Sequence, residues 1–107
     1  MGKSPFDVNF KVGEIKKAED FSEARKPKMC KLWIDLGDKQ VQSAAQLLYH
    51  HSIDELFGKQ VLCATNLGEV RIAGFKSEVL TVGVPGRDGN PVLVQPAKDV
   101  PLGGELY

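Results

Sequence analysis

This chain of 107 residues has no excess of either charge, few cysteines, few aromatics and no long apolar run. Its 14 Lys and Arg face 14 Asp and Glu, so the formal net charge is zero. That balance excludes a polybasic nucleic-acid sponge and an acidic solvating tail. It allows a local basic patch, and it favours association over mutual repulsion. The two cysteines, Cys30 and Cys63, lie far apart and form no CxxC pair, so no zinc or redox motif is present. Both sit in apolar, strand-like runs, which predicts buried reduced thiols and a cytoplasmic location. No unbroken apolar run exceeds four residues, against the roughly 18 that span a bilayer, so membrane insertion is not expected. The start, Met1 to Phe6, lacks a signal-peptide core. Phe6 also breaks the myristoylation pattern.

What is present suits one soluble domain. A chain this short still buries roughly 60–70% of its unfolded surface, so no staple is obligatory. Hydrophobic residues are 42% and charged residues 26%, ordinary values for a globular protein. The 11 glycines and 6 prolines imply many turns and hence many short strands.

Along the chain, residues 1–8 read as an extension and about 9–107 as the ordered barrel. Phe10, Val12 and Ile15 approach a period of two, which predicts a strand over 9–17 with a bulge or bend at Gly13. Residues 18–28 are charged, carry Arg-Lys-Pro near their end and read as a loop. Cys30, Leu32, Ile34 and Leu36 alternate with Lys31, Trp33 and Asp35, the clearest strand in the sequence. A further run follows over 39–44, and residues 44–48 could form a turn or two of helix. Ser52-Ile53-Asp54-Glu55 is a capping-box pattern, which places one short helix over 53–57, stopped by Gly58. Strands are expected over 60–65, 70–75 and 78–84. A turn-rich loop over 85–91 and a return strand from Val92 come next, with a terminal turn and last short strand at the end. Strand, strand, strand, helix, strand, strand is the order of an all-β, five-stranded oligonucleotide/oligosaccharide-binding (OB) barrel.

Little in the chain points to catalysis. The only histidines, His50 and His51, are adjacent, and neither has a ligand-spaced partner. Gly103-Gly104 lacks the spacing and lysine of a phosphate loop. No nucleophile–base pair stands out, so an enzyme is not expected, nor a metal or other cofactor. The cations, by contrast, are unevenly placed. Residues 1–31 carry an excess of three positive charges and residues 32–107 an excess of three negative ones. Arg25, Lys26, Lys28 and Lys31 fall within seven residues with no acid among them. They form either a solvated loop or an anion-facing one, which Arg71 and Lys76 would widen. Trp33 lies on the non-core phase of its strand. It is either a base-stacking platform or covered by the chain's own loops or a partner.

Three strings are more specific than any of these patterns. They are Glu23-Ala24-Arg25-Lys26-Pro27 with Lys31-Leu32-Trp33-Ile34-Asp35-Leu36-Gly37; Ser43-Ala44-Ala45-Gln46 with Leu56-Phe57-Gly58-Lys59-Gln60-Val61; and Asn66-Leu67 with Arg71-Ile72-Ala73-Gly74-Phe75-Lys76-Ser77-Glu78. In order and spacing these resemble the tRNA-binding-domain family of OB folds, and within it the export-related molecular chaperones, over about residues 10–106. The resemblance implies a non-catalytic homodimer that binds the outer corner of tRNA, unfolded or preprotein clients, or both. The expected function is therefore chaperone and preprotein-export activity with tRNA-binding potential. The alternative is a tRNA-binding protein acting in trans on an aminoacyl-tRNA synthetase. By resemblance, Arg25 and Lys26 match the family's arginine-rich loop. Ser43 and Gln46 match its serine–glutamine turn, and Asn66 and Arg71 match its Asn-Phe-Pro-Pro-Arg segment. Ser77-Glu78 is intact, with Glu78 expected to be a structural partner near Arg71. Gly68-Glu69-Val70 departs from the family's Pro-Pro-Arg, removing one cation and adding an anion, so weak RNA binding is expected.

Overall fold

The computed structural model describes residues 7–106; residues 1–6 of the predicted extension over 1–8, and the last residue, 107, lie outside them. The described residues form nine strands and one helical turn: β1 (Phe10–Asp20), β2 (Cys30–Asp35), β3 (Gln40–Ala45), α1 (Ile53–Leu56), β4 (Gln60–Ala64), β5 (Val70–Ile72), β6 (Phe75–Ser77), β7 (Leu80–Thr81), β8 (Gly83–Pro85) and β9 (Pro91–Leu93). The main sheet runs β3-β2-β1-β4-β7, antiparallel throughout. β5-β6 and β8-β9 form separate hairpins.

The alternation in β2 works as the sequence predicts: Cys30, Leu32 and Ile34 are fully buried while Lys31, Trp33 and Asp35 are not. β1 runs three residues longer than expected, because Ala18, Glu19 and Asp20 pair with Leu32, Lys31 and Cys30. The bulge lies between Ile15 and Lys17 rather than at Gly13. Gly13 serves close packing instead. A Cβ there would run into the Ile34 and Leu36 side chains, so any larger residue would force strands apart. Residues 44–48 do not turn helical, because β3 continues to Ala45 against Cys30. The expected single strand over 70–75 is the β5-β6 hairpin. Its two-residue turn has positive φ at both Ala73 and Gly74, the geometry that matches strand twist.

α1 is too short to stand alone. The Ser52 hydroxyl accepts from the Glu55 N–H at 3.2 Å, and the Glu55 carboxylate accepts from the Ser52 N–H at 2.8 Å. Leu56 is the helix's buried residue and joins the core with Ile15 and Val61, worth about 2–3 kcal/mol for a leucine. The Gly103-Gly104 segment is tied to β1: Val12 donates to Gly104 O and accepts from the Gly103 N–H.

A seam of polar bonds closes the barrel between β3 and the segment 77–81. The Glu78 N–H donates to Gln42 O at 2.8 Å. The Gln42 N–H returns to the Glu78 carboxylate at 2.9 Å, and the Ala44 N–H donates to the Ser77 hydroxyl at 3.0 Å. Deeper in, Ser43 donates to Val79 O and Thr81 donates to Ser43.

Candidate nucleic-acid interface

Arg25, Lys26 and Lys28 of the cationic string occupy the loop between β1 and β2, and Lys31 lies within β2. Hydrogen bonds at both ends of the loop hold it. Phe21 N–H donates to Met29 O at 3.0 Å and Ala24 N–H to Phe21 O at 3.2 Å. Leu48 N–H donates to Lys28 O at 3.1 Å, and Gln46 Nε2 donates to Pro27 O at 3.0 Å. Arg25, Lys26 and Lys28 are exposed. Among the described residues none of the three has an ion-pair partner. Lys28 has φ of 60°, a left-handed conformation unfavourable for a residue with a Cβ. Strain of this kind persists where surrounding bonds over-determine it.

Beside this loop, a ladder of rings and cations crosses the barrel wall. Phe75 of the hairpin meets Trp33 edge-on at 5.5 Å and Phe21 at 5.6 Å. Lys31 Nζ sits 4.9 Å from the Phe21 centroid and 5.5 Å from that of Phe75; Lys17 Nζ sits 4.7 Å from that of Trp33. Trp33 is therefore half-buried by its own chain, with a lysine over the ring and a phenylalanine packed against it.

Several residues assigned by resemblance have structural work instead. Ser43 and Ser77 are buried, with their hydroxyls spent on the seam, and do not face a ligand. Asn66 accepts from the Asn9 N–H at 2.8 Å and donates to Asp7 O at 3.0 Å, clipping the segment before β1. Glu78 is a structural partner, though of the Gln42 backbone rather than of Arg71. Arg71 is exposed, opposite Lys76 across the hairpin. Lys76 lies 3.9 Å from Glu69, so the carboxylate in the departing Gly68-Glu69-Val70 segment offsets that cation. Gln46 is half-buried, and its amide orientation is set by Pro27.

Two hollows flank the Arg25-Lys26 ridge. One, of about 440 Å³, opens between the loop, the end of β3 and β7-β8. Met29, Leu47, Ile72, Leu80 and Val82 line it, with Arg25 and Lys26 at its side. The other, of about 710 Å³, lies toward Leu48, His51 and Ile53. Apart from Arg25, Lys26, Lys28 and Gln46, neither these linings nor Lys17, Phe21 and Phe75 carry a local functional signal in the sequence, since they come together from separate elements.

Among the described residues no cluster of His, Cys, Asp and Glu could hold a metal ion, and no helix is long and apolar enough to cross a membrane. Burial pushes the Cys30 thiol up to about 11 and the Cys63 thiol up to about 12. His50 Nε2 lies 2.9 Å from Asp88 Oδ1. His51 Nε2 accepts from the Leu93 N–H at 3.3 Å, so both histidines fasten the β8-β9 hairpin.

An antiparallel five-stranded barrel with a short helix between its third and fourth strands, and a cationic loop between its first and second, defines the class of OB-type barrels. The chain belongs to the putative tRNA-binding-domain family, whose model matches residues 10–105. It is similar to the CsaA chaperone protein from Picrophilus torridus, at 36% identity and a TM-score of 0.84, covering 94% of this chain and 92% of that one. The chaperone CsaA from Bacillus anthracis gives 33% identity and a TM-score of 0.86, over 94% and 91% of the two chains. Methionine–tRNA ligase of Methanococcus aeolicus is 32% identical over 101 residues, which are 92% of this chain and 14% of the ligase. The chain thus spans about one seventh of the length of such curated relatives.

Proposed function

We propose that this chain is a non-catalytic RNA-binding module that grips structured RNA of the tRNA class through its 25–28 loop. The observation that carries this reading is the exposure of Arg25, Lys26 and Lys28 without ion-pair partners on a tethered loop. Unpaired cations can displace phosphate counterions without first breaking a bond of their own, and counterion release supplies most of the affinity. Membership of the tRNA-binding-domain family supports the same ligand. A tRNA titration at two salt concentrations tests it. Three phosphate contacts predict roughly a 20- to 40-fold loss of affinity between about 50 and about 200 mM salt. No complex at low salt would overturn the reading.

A second reading is favoured by the apolar hollow and by the exposed Leu67, Val70, Leu80 and Val84. In it, the chain is a cytoplasmic homodimer that holds unfolded or preprotein clients for export, in line with its likeness to the two CsaA chaperones. A dimer would cover open strand edges and double a weak RNA site. Sedimentation reads the oligomer. Light scattering of a heated client reads the holding activity, and unchanged aggregation at molar excess counts against it.

A further inference from the structure

We propose that the hollow beside the 25–28 loop is a slot for one unpaired nucleobase of the bound RNA, whose own phosphate rests on Arg25 and Lys26. This deepens the RNA-binding reading and rests on it. The slot exists because the barrel is not sewn shut along its whole length. Polar bonds join β3 to the 77–81 segment at Gln42, Ser43 and Ala44. Past Ala44 the two walls part, and the gap is lined by Met29, Leu47, Ile72, Leu80, Val82 and Pro91.

Three properties select a nucleotide. The first is charge: Arg25 and Lys26 belong to the lining, and no acid does. An apolar peptide side chain would leave both cations unanswered, and a basic preprotein segment would be repelled. A nucleotide brings a flat apolar body and an anion joined by one ribose. The second is size. About 440 Å³ stands near the lower end of ligand pockets, about 300–1,000 Å³, room for one base with its sugar. The third is polarity. Thr81 donates its hydroxyl to Ser43, and Gln46 donates one Nε2 hydrogen to Pro27 O. The Gln46 Oε1 acceptor and the second Nε2 hydrogen are left. One acceptor and one donor on a single amide can meet any base edge and leave the slot tolerant of base identity.

A continuous A-form duplex keeps its bases stacked, so only a loop, bulge or end can fill such a slot. The partner class is therefore RNA in which an unpaired nucleotide adjoins helical phosphates.

The test uses the full chain and two RNA hairpins, one with a single 2-aminopurine bulge and one fully paired. The bulged hairpin is expected to bind about tenfold tighter, the worth of one base buried against a protein surface, and its 2-aminopurine emission to change on binding. Leu80→Ser removes part of one wall at a position that is half exposed. It should shrink the bulge preference while leaving the paired hairpin's affinity and the thermal midpoint nearly unchanged. Arg25→Ala should weaken both hairpins. Equal, salt-dependent binding of the two hairpins with unchanged emission overturns the slot and leaves the RNA reading intact. No salt-dependent binding of either overturns both. Displacement of the bulged hairpin, but not the paired one, by an uncharged apolar heptapeptide would give the slot to peptide and overturn the proposal.

Discussion

Thr81 donates its hydroxyl to the Ser43 hydroxyl at 2.8 Å across the barrel seam, where both side chains are buried. Ser43 passes the chain of donors on to Val79 O at 3.0 Å. Ser43→Ala removes the acceptor of the Thr81 hydroxyl. The expected cost is about 1–3 kcal/mol, seen as a lower urea midpoint at unchanged slope. Adding Thr81→Val should recover part of that loss, because it removes the hydroxyl that lost its acceptor. A double variant as unstable as the sum of the singles would show that the hydroxyl pair is not the relevant link.

Lys28 couples strain to charge. Lys28→Gly relieves a left-handed conformation worth about 1–2 kcal/mol, offset by roughly 0.5–1 kcal/mol of unfolded-chain entropy. A modest rise in thermal midpoint is expected together with weaker tRNA binding and a salt slope shallower by about 0.7–0.9. Stability and affinity moving in opposite directions is the signature; a fall in both would contradict it.

Phe75 is the hub of the ring ladder, touching Phe21, Trp33 and Lys31. Phe75→Ala should cost about 1–3 kcal/mol, less than the 3–5 kcal/mol of a fully buried phenylalanine. It should also shift Trp33 emission to the red and make it more easily quenched by acrylamide. Unchanged emission would mean that other groups shield the indole.

Asp88 is held below the ordinary carboxylate value of 3.8 by the Asn90 backbone N–H first, then by the His50 and Asn90 side chains. A depressed carboxyl contributes stability that is fully present above 3.8 and is lost as pH falls toward the folded-state value. Melting temperature should therefore decline below that pH, and Asp88→Asn should flatten the acid limb. Identical acid limbs for the two proteins would remove Asp88 from the account.

Much of this fold is legible in the sequence where one face of an element is core and the other is not. β2 is read from its alternation, and α1 from Ser52 and Glu55. The reading fails where pairing is non-local. Ala18, Glu19 and Asp20 have no apolar period, yet β1 extends through them because β2 offers a partner. Ala73 hides the hairpin turn, since alanine rarely takes φ of 48°. The cations of the site are visible as a string without acids. The cover over Trp33 is not, because Phe75 reaches it from 42 positions away through a hairpin the sequence disguises. Ser43 and Ser77 belong to the family pattern, and only their burial separates a barrel fastener from a ligand contact.

The tethers on the 25–28 loop have a kinetic consequence. Gln46 and Leu48 hold Pro27 and Lys28 in place, so the loop arrives at its ligand already shaped. Little ordering remains to slow capture, and orientation at first encounter becomes the main hurdle. Added salt should then act chiefly on the association rate, as expected for charge-steered encounter, and leave the lifetime of the complex comparatively unchanged.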